Sequence, residues 1–189
     1  MDTDHVKRNE ESQRLLREAR EKARKKSKYD WKATRRDLTR LFEEMFHKLP
    51  YEWQIDVAEA LILGLDAVVI AGTGAGKTMP FMMPLLLHRE KFVLIISPLK
   101  VLQEDQASRF EAMGLAAAAV NGDTYSKSLQ KLLDGQTLNA ILTSPEMCFE
   151  HPDFRKWLRS DNLPEPTPGH NIWFANFTVD HNYSFGISI

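Results

Sequence analysis

The chain has one cysteine, Cys148, and only 9 glycines and 9 prolines among 189 residues. One thiol excludes a disulfide scaffold, and so little Gly and Pro excludes a collagen-like or low-complexity chain. No apolar run reaches the ~18 residues that a membrane-spanning helix needs. The first thirty residues are mostly charged and hold no apolar core for a secretory signal. These absences lead to the expectation of a soluble protein of the cell interior. What remains is ordinary for a globular domain: 43% hydrophobic, 27% charged, and long enough to bury a real core.

The net charge of −1 hides a split. Residues 1–48 carry 15 Lys/Arg against 10 Asp/Glu, whereas the rest of the chain carries 10 against 16. Such asymmetry points to a charged arm (residues 1–30) joined to a conventional domain. Within the arm, Glu10/Arg14, Glu18/Lys22 and Glu21/Lys25 are acid-first i,i+4 pairs. Leu15, Leu16, Ala19 and Ala23 give only a thin apolar stripe, so the arm reads as a solvated single helix. The basic run Arg24-Lys25-Lys26 with Lys28 is open to three readings: a solvated face, a phosphate contact or an import signal. From Trp31 the pattern changes. Leu38, Leu41, Phe42, Met45, Phe46 and Leu49 recur at helical spacing, as in a helix packed on a core.

Residues 50–160 alternate between helix and strand signals. Helices are expected at Trp53–Leu63, Thr78–His88, Lys100–Met113 and Tyr125–Leu133. Strands are expected at Ala67–Ile70, Phe92–Ile96, Ala116–Val120 and Ala140–Thr143. Apolar strands joined by helices imply an α/β fold with a parallel sheet flanked by helices over residues 31–160. After Asp161 the pattern fails at Pro164, Pro166, Pro168 and Gly169, and residues 161–189 read as an irregular, poorly ordered tail. Within it, Ile172–Val179 is a weak strand candidate.

The sharpest feature is Ala71-Gly72-Thr73-Gly74-Ala75-Gly76-Lys77-Thr78, between an expected strand and an expected helix. That is the setting of a Walker A phosphate loop. Gly74 and Gly76 let the backbone curl so that N–H groups converge on phosphate oxygens, with the helix N-terminus adding partial positive charge. In this arrangement Lys77 reaches the β- and γ-phosphates and the Thr78 hydroxyl is a Mg²⁺ ligand. Ala71 stands where the general pattern has Gly.

Four further segments narrow the class. Leu49-Pro50-Tyr51-Glu52-Trp53-Gln54 precedes the loop, with Ala58, Leu61, Gly64 and Asp66 following. Ser97-Pro98-Leu99-Lys100-Val101-Leu102-Gln103-Glu104-Asp105-Gln106 follows the second strand, and Thr143-Ser144-Pro145-Glu146-Met147 the fourth. With the loop, these resemble the N-terminal RecA-like lobe of superfamily 2 helicases, and most of all the RecQ DNA helicases. The likeness runs from about Leu38 to Leu158. It implies a P-loop NTPase fold and the ATP-binding lobe of an ATP-dependent 3′–5′ DNA helicase using ATP and Mg²⁺ on DNA, in the nucleus. Carried over position by position, Gln54 resembles the glutamine that reads the adenine edge, for which one amide can donate and accept at once. Tyr51 is open to stacking on the base or to a core position. Gly72, Thr73, Gly74, Ala75, Gly76, Lys77 and Thr78 match the phosphate loop. Ser97, Pro98 and Leu99, and then Thr143, Ser144 and Glu146, resemble segments that contact the DNA backbone. Helix capping by Ser97 and Ser144 is the structural alternative.

A helicase of this type also needs a DEAH-like acidic pair. The one candidate is Thr178-Val179-Asp180-His181-Asn182, in which Asp180 is a metal partner and catalytic candidate. No Glu follows it. The loss of pattern after Asp161 and the lack of a second lobe suggest a truncated product of marginal stability, from a gene fragment, an altered splice or a frame change. Such a chain is poor or inactive in ATP hydrolysis and unwinding alone. Two other readings stand beside the helicase lobe. One is a non-hydrolysing ATP- and DNA-binding regulatory module. The other is an unrelated P-loop kinase, disfavoured because about seventy residues precede the loop and no arginine-rich lid is evident.

Overall fold

The computed structural model describes residues 3–70, 74–160, 172–176 and 186–188. The chain forms two compact units, Met1–Leu87 with Asp180–Ile189, and His88–Val179.

The first unit contains α1 (Thr3–Ser27), α2 (Trp31–Phe46), α3 (Glu52–Ile62), β1 (Val68–Ile70), α4 (Met79–Leu87) and β6 (Gly186–Ser188). Asp30 starts α2 by accepting hydrogen bonds from the backbone N–H groups of Lys32 (3.0 Å) and Ala33 (3.1 Å). His47 closes it in the left-handed region. The expected apolar stripe is what buries: Leu38 and Phe42 of α2 pack with Ile55 and Ala58 of α3 and Met83 of α4. Leu49 falls outside the stripe because the helix has already ended, and it is 65% exposed. α4 is apolar on all sides and is buried from Pro80 to Leu86. It begins at Met79, one residue later than the pattern suggests. Thr78 provides the first carbonyl, accepting from Phe81 N–H (3.2 Å) and Met82 N–H (3.3 Å).

Two expectations need correction in this unit. The arm is helical, but it is not a solvated single helix. Leu16 is fully buried, and Gln13 and Arg20 reach carboxylates of α3. Of the three expected pairs within α1, Glu21/Lys25 forms, with Arg24 also on Glu21, whereas Arg14 joins Glu11 and Glu18 in place of Glu10. Second, β1 pairs antiparallel with β6, Val68 opposite Ser188, instead of lying in the parallel sheet.

The second unit holds β2 (Phe92–Ile96), α5 (Lys100–Ala112), β3 (Ala117–Val120), α6 (Lys127–Asp134), β4 (Ala140–Thr143), α7 (Pro145–Glu150), α8 (Pro152–Leu158) and β5 (Ile172–Asn176). β2 and β4 match the sequence expectation residue for residue. The sheet order is β3-β4-β2-β5, parallel throughout. Residues 172–176, part of the weak strand candidate Ile172–Val179, form β5, whereas residues 186–188, in the stretch expected to be irregular, form β6. Leu94, Val120 and Ile141 of the sheet pack with Leu133, Met147, Phe154 and Trp157 of the helices. Phe154 and Trp157 stack with centroids 5.6 Å apart. The two short helices α7 and α8 each begin with a proline, capped by Ser144 and His151 respectively.

Candidate functional site

In the first unit the residues expected to hold nucleotide converge from two elements. Gln54 lies in the first turn of α3 and is 3% exposed. Its Oε1 accepts from the Tyr51 N–H (2.9 Å), while Nε2 donates to Gly76 O (3.0 Å) and more weakly to Ala75 O (3.4 Å). One amide thus ties the start of α3 to the loop that opens α4. Gly74 and Gly76 both have left-handed backbones, with φ of 82° and 74°. At Gly76 an added Cβ would lie 2.7 Å from Gln54 Nε2, so a side chain there would displace that amide. Ala75, Lys77 and Thr78 are half-buried around this turn. Tyr51 is 65% exposed, so the core alternative for its ring falls away. Gly72, Thr73 and Asp180 lie outside the described residues.

A positively charged lysine, a hydroxyl and a glycine-shaped turn at the start of a helix are a donor set suited to phosphate and a hard cation. The left-handed backbones at Gly74 and Gly76 give the turn its shape, and a larger residue at Gly76 would press on the Gln54 amide that holds it. Gln54 shows a second duty that its sequence position does not reveal. Its amide is already engaged with backbone on both sides.

In the second unit the other candidates gather at the carboxyl ends of neighbouring strands, where open α/β sheets bind ligands. Ser97 N–H donates to Thr143 O (2.8 Å), joining the ends of β2 and β4. Thr143 Oγ1 donates to Val120 O (2.8 Å), reaching the end of β3. Ser144 accepts from Met147 N–H (3.2 Å) and so caps α7, as the capping alternative has it. Ser97 does not cap α5, because the residue before that helix is Leu99 and it makes no side-chain cap. Instead Ser97 is fully buried, and among the described residues its hydroxyl has no hydrogen-bond partner. Pro98 and Leu99 are exposed, Leu99 by 52%. Glu146 is exposed, and its own backbone N–H and the Ser144 hydroxyl, aided by Lys100, hold its carboxyl below the usual range.

Two residues that organise this edge escape the sequence reading. Gln103 is fully buried, with Nε2 donating to Ser97 O (2.7 Å) and Oε1 accepting from Asn121 Nδ2 (3.1 Å). Asn121 in turn accepts the N–H groups of Asp123 and Thr124, shaping the turn after β3. The signal was present: Gln103, Gln106, Ala107 and Phe110 share the buried period of α5, with two glutamines at core positions. Replacing Gln103 with Leu leaves Ser97 O and the Asn121 amide without these partners. The expected cost is about 1–3 kcal/mol, read as a lower urea midpoint at unchanged m-value.

The fold is that of helicase ATP-binding domains. The crystal structure of the DUF1998 helicase MrfA bound to DNA and AMPPNP matches with a TM-score of 0.52 at 22% identity, over 65% of this chain and 19% of that one. The chain belongs to the DEAD/DEAH box helicase family, which matches residues 51–163. It is similar to the ATP-dependent DNA helicase RecQ of Pasteurella multocida, at 35% identity over 96 residues, covering 49% of this chain and 15% of that protein. The RecQ of Haemophilus influenzae is 33% identical over 106 residues, covering 54% of this chain and 17% of its own length. The chain therefore spans less than a fifth of the length of these two relatives.

Proposed function

We propose that this chain is the ATP- and DNA-binding lobe of a RecQ-like, 3′–5′ DNA helicase, and that these 189 residues bind Mg-ATP without turning it over. The observation that carries the proposal is the shaped turn at Gly74–Thr78 with Gln54 locked against it. Lys77 would meet the β- and γ-phosphates, Thr78 would contribute its hydroxyl to Mg²⁺, and Tyr51 would lie against the base. Gln54 would read the adenine edge only by exchanging its present backbone partners for base atoms. Ser97, Pro98, Leu99, Thr143, Ser144 and Glu146 form the strand-end edge proposed for the DNA backbone, a contact that positions the strand without reading its sequence.

Hydrolysis needs a group that orients and deprotonates water, and charge stabilisation around the γ-phosphate. After Thr178 the sequence offers Asp180 and no other Asp or Glu. Asp180 can serve a metal ion through its carboxylate, but no general base stands beside it in sequence. The test is ATP turnover by the 189-residue chain, with and without single-stranded DNA. The expected rate equals that of Lys77→Ala in both conditions. DNA-stimulated turnover that disappears in Lys77→Ala would show that Asp180 or another group completes the site, and the non-hydrolysing reading would fall.

A further inference from the structure

A strongly basic surface lies outside the residues matched to the helicase family. Between Lys22 and Arg40 the sequence carries nine Lys/Arg and two Asp, around the bend where α1 gives way to α2. Lys22, Arg24, Lys25, Lys26, Lys28, Lys32, Arg36 and Arg40 are all exposed, and only Arg35 is drawn inward. Among the described residues, Lys22, Lys26, Lys28 and Lys32 have no carboxylate partner, while Asp30 is occupied as the cap of α2. On α1, Lys22 and Lys26 stand one turn apart, and on α2, Lys32, Arg36 and Arg40 form a row at the same spacing.

The bend is held in place. Arg20 of α1 and Arg35 of α2 both grip Glu59 of α3. Arg20 also lies over the Trp31 ring, 4.4 Å from its centroid, and Lys32 Nζ lies 5.6 Å from it. Trp31 remains 37% exposed at the centre of the basic surface.

We infer that this elbow is a second nucleic-acid contact, binding the sugar–phosphate backbone in addition to the strand-end edge. Four exposed lysines without carboxylate partners, set beside Arg24, Lys25, Arg36 and Arg40 with their partners Glu21, Asp37 and Glu44, leave a net positive surface that suits a polyphosphate chain. A membrane surface fits less well, because the apolar stripe that an interfacial helix would insert is turned inward here, with Leu16 fully buried. The choice of nucleic acid as partner rests on the reading given under Proposed function; the location of the contact does not.

The experiment measures binding of a fluorescently labelled 20-nucleotide single strand, and of the matching duplex, across a salt series. It compares the full chain with the fourfold variant K22Q/K26Q/K28Q/K32Q. Mg-ATP binding is measured on both proteins, and none of the four lysines belongs to the nucleotide site. The expected result is a loss of more than about tenfold in DNA affinity with nucleotide binding unchanged. The salt slope for the single strand should become shallower by about 3, from about 0.7 per lost contact. If the full chain binds DNA and the variant binds it with equal affinity and slope, the elbow is excluded while the strand-end reading stands. If the full chain binds neither DNA form, both fail. Binding to vesicles containing phosphatidylserine with none to DNA would overturn the inference in favour of a lipid surface.

Discussion

Arg20→Ala is expected to lower the stability of the first unit by about 3 kcal/mol, the low end of what breaking a buried ion pair costs. Arg20 holds Glu59 with two parallel bonds, Nε to Oε1 at 2.8 Å and Nη2 to Oε2 at 2.6 Å. The Glu59 side chain is 0% exposed, and that of Arg20 is 14% exposed. Removing Arg20 leaves the carboxylate buried with Arg35 Nη1 at 2.9 Å as its remaining cation. That partner is shared, because Arg35 also serves Asp56 at 2.7 Å and pairs with Glu52. Partial compensation places the loss near the bottom of the range rather than the top. Scaled to a chain of this size, the thermal midpoint falls by about 6–12 °C. Arg20→Lys should lose an intermediate amount, since an ammonium cannot make the paired fork. Arg14, whose partners Glu11 and Glu18 are more than half exposed, is the control. Arg14→Ala should leave the midpoint unchanged. Equal midpoints for Arg20→Ala and the native chain would show that α1 is not docked through this network.

Gly76→Ala is expected to damage the nucleotide site by a different route. An alanine at φ 74° sits in the left-handed region, at a cost of about 1–2 kcal/mol. Its Cβ would also stand 2.7 Å from Gln54 Nε2, so the amide must leave Gly76 O or the turn must open. Either movement alters the backbone N–H array that would face phosphate. The expected outcome is a Kd for Mg-ATP weakened at least about tenfold, with about 2 kcal/mol lost in stability. Native affinity in this variant would mean that the turn as it stands is not the binding conformation.

How much of this was legible in the sequence depends on the kind of signal. Strands β2 and β4 were readable to the residue because they are unbroken apolar runs between polar turns, and their burial on both faces demands that composition. The phosphate loop was readable because Gly74, Gly76, Lys77 and Thr78 are each required by local backbone or charge. The docked face of α1 was not. Its anchors are Arg20 and Gln13, which look like solvated residues until Glu59 and Asp56 of α3 supply partners 39 and 43 positions away. Nothing local encodes a pair of that separation. The pairing of β1 with β6 was hidden for the same reason, since a three-residue strand carries no period of its own. Gln103 was visible as a polar residue on the buried period of α5, but its bond to Asn121 depends on how the turn after β3 meets that helix.

Lys77 is the residue on which the proposed function turns, and direct titration of Mg-ATP into the full chain and into Lys77→Ala tests it most simply. Losing a charge-assisted contact to phosphate costs about 1.5–3 kcal/mol, or about ten- to a hundredfold in Kd. The native chain is expected to bind saturably, one to one, and the variant to lose affinity by that amount. No binding by the folded native chain, or equal binding by both proteins, would contradict it.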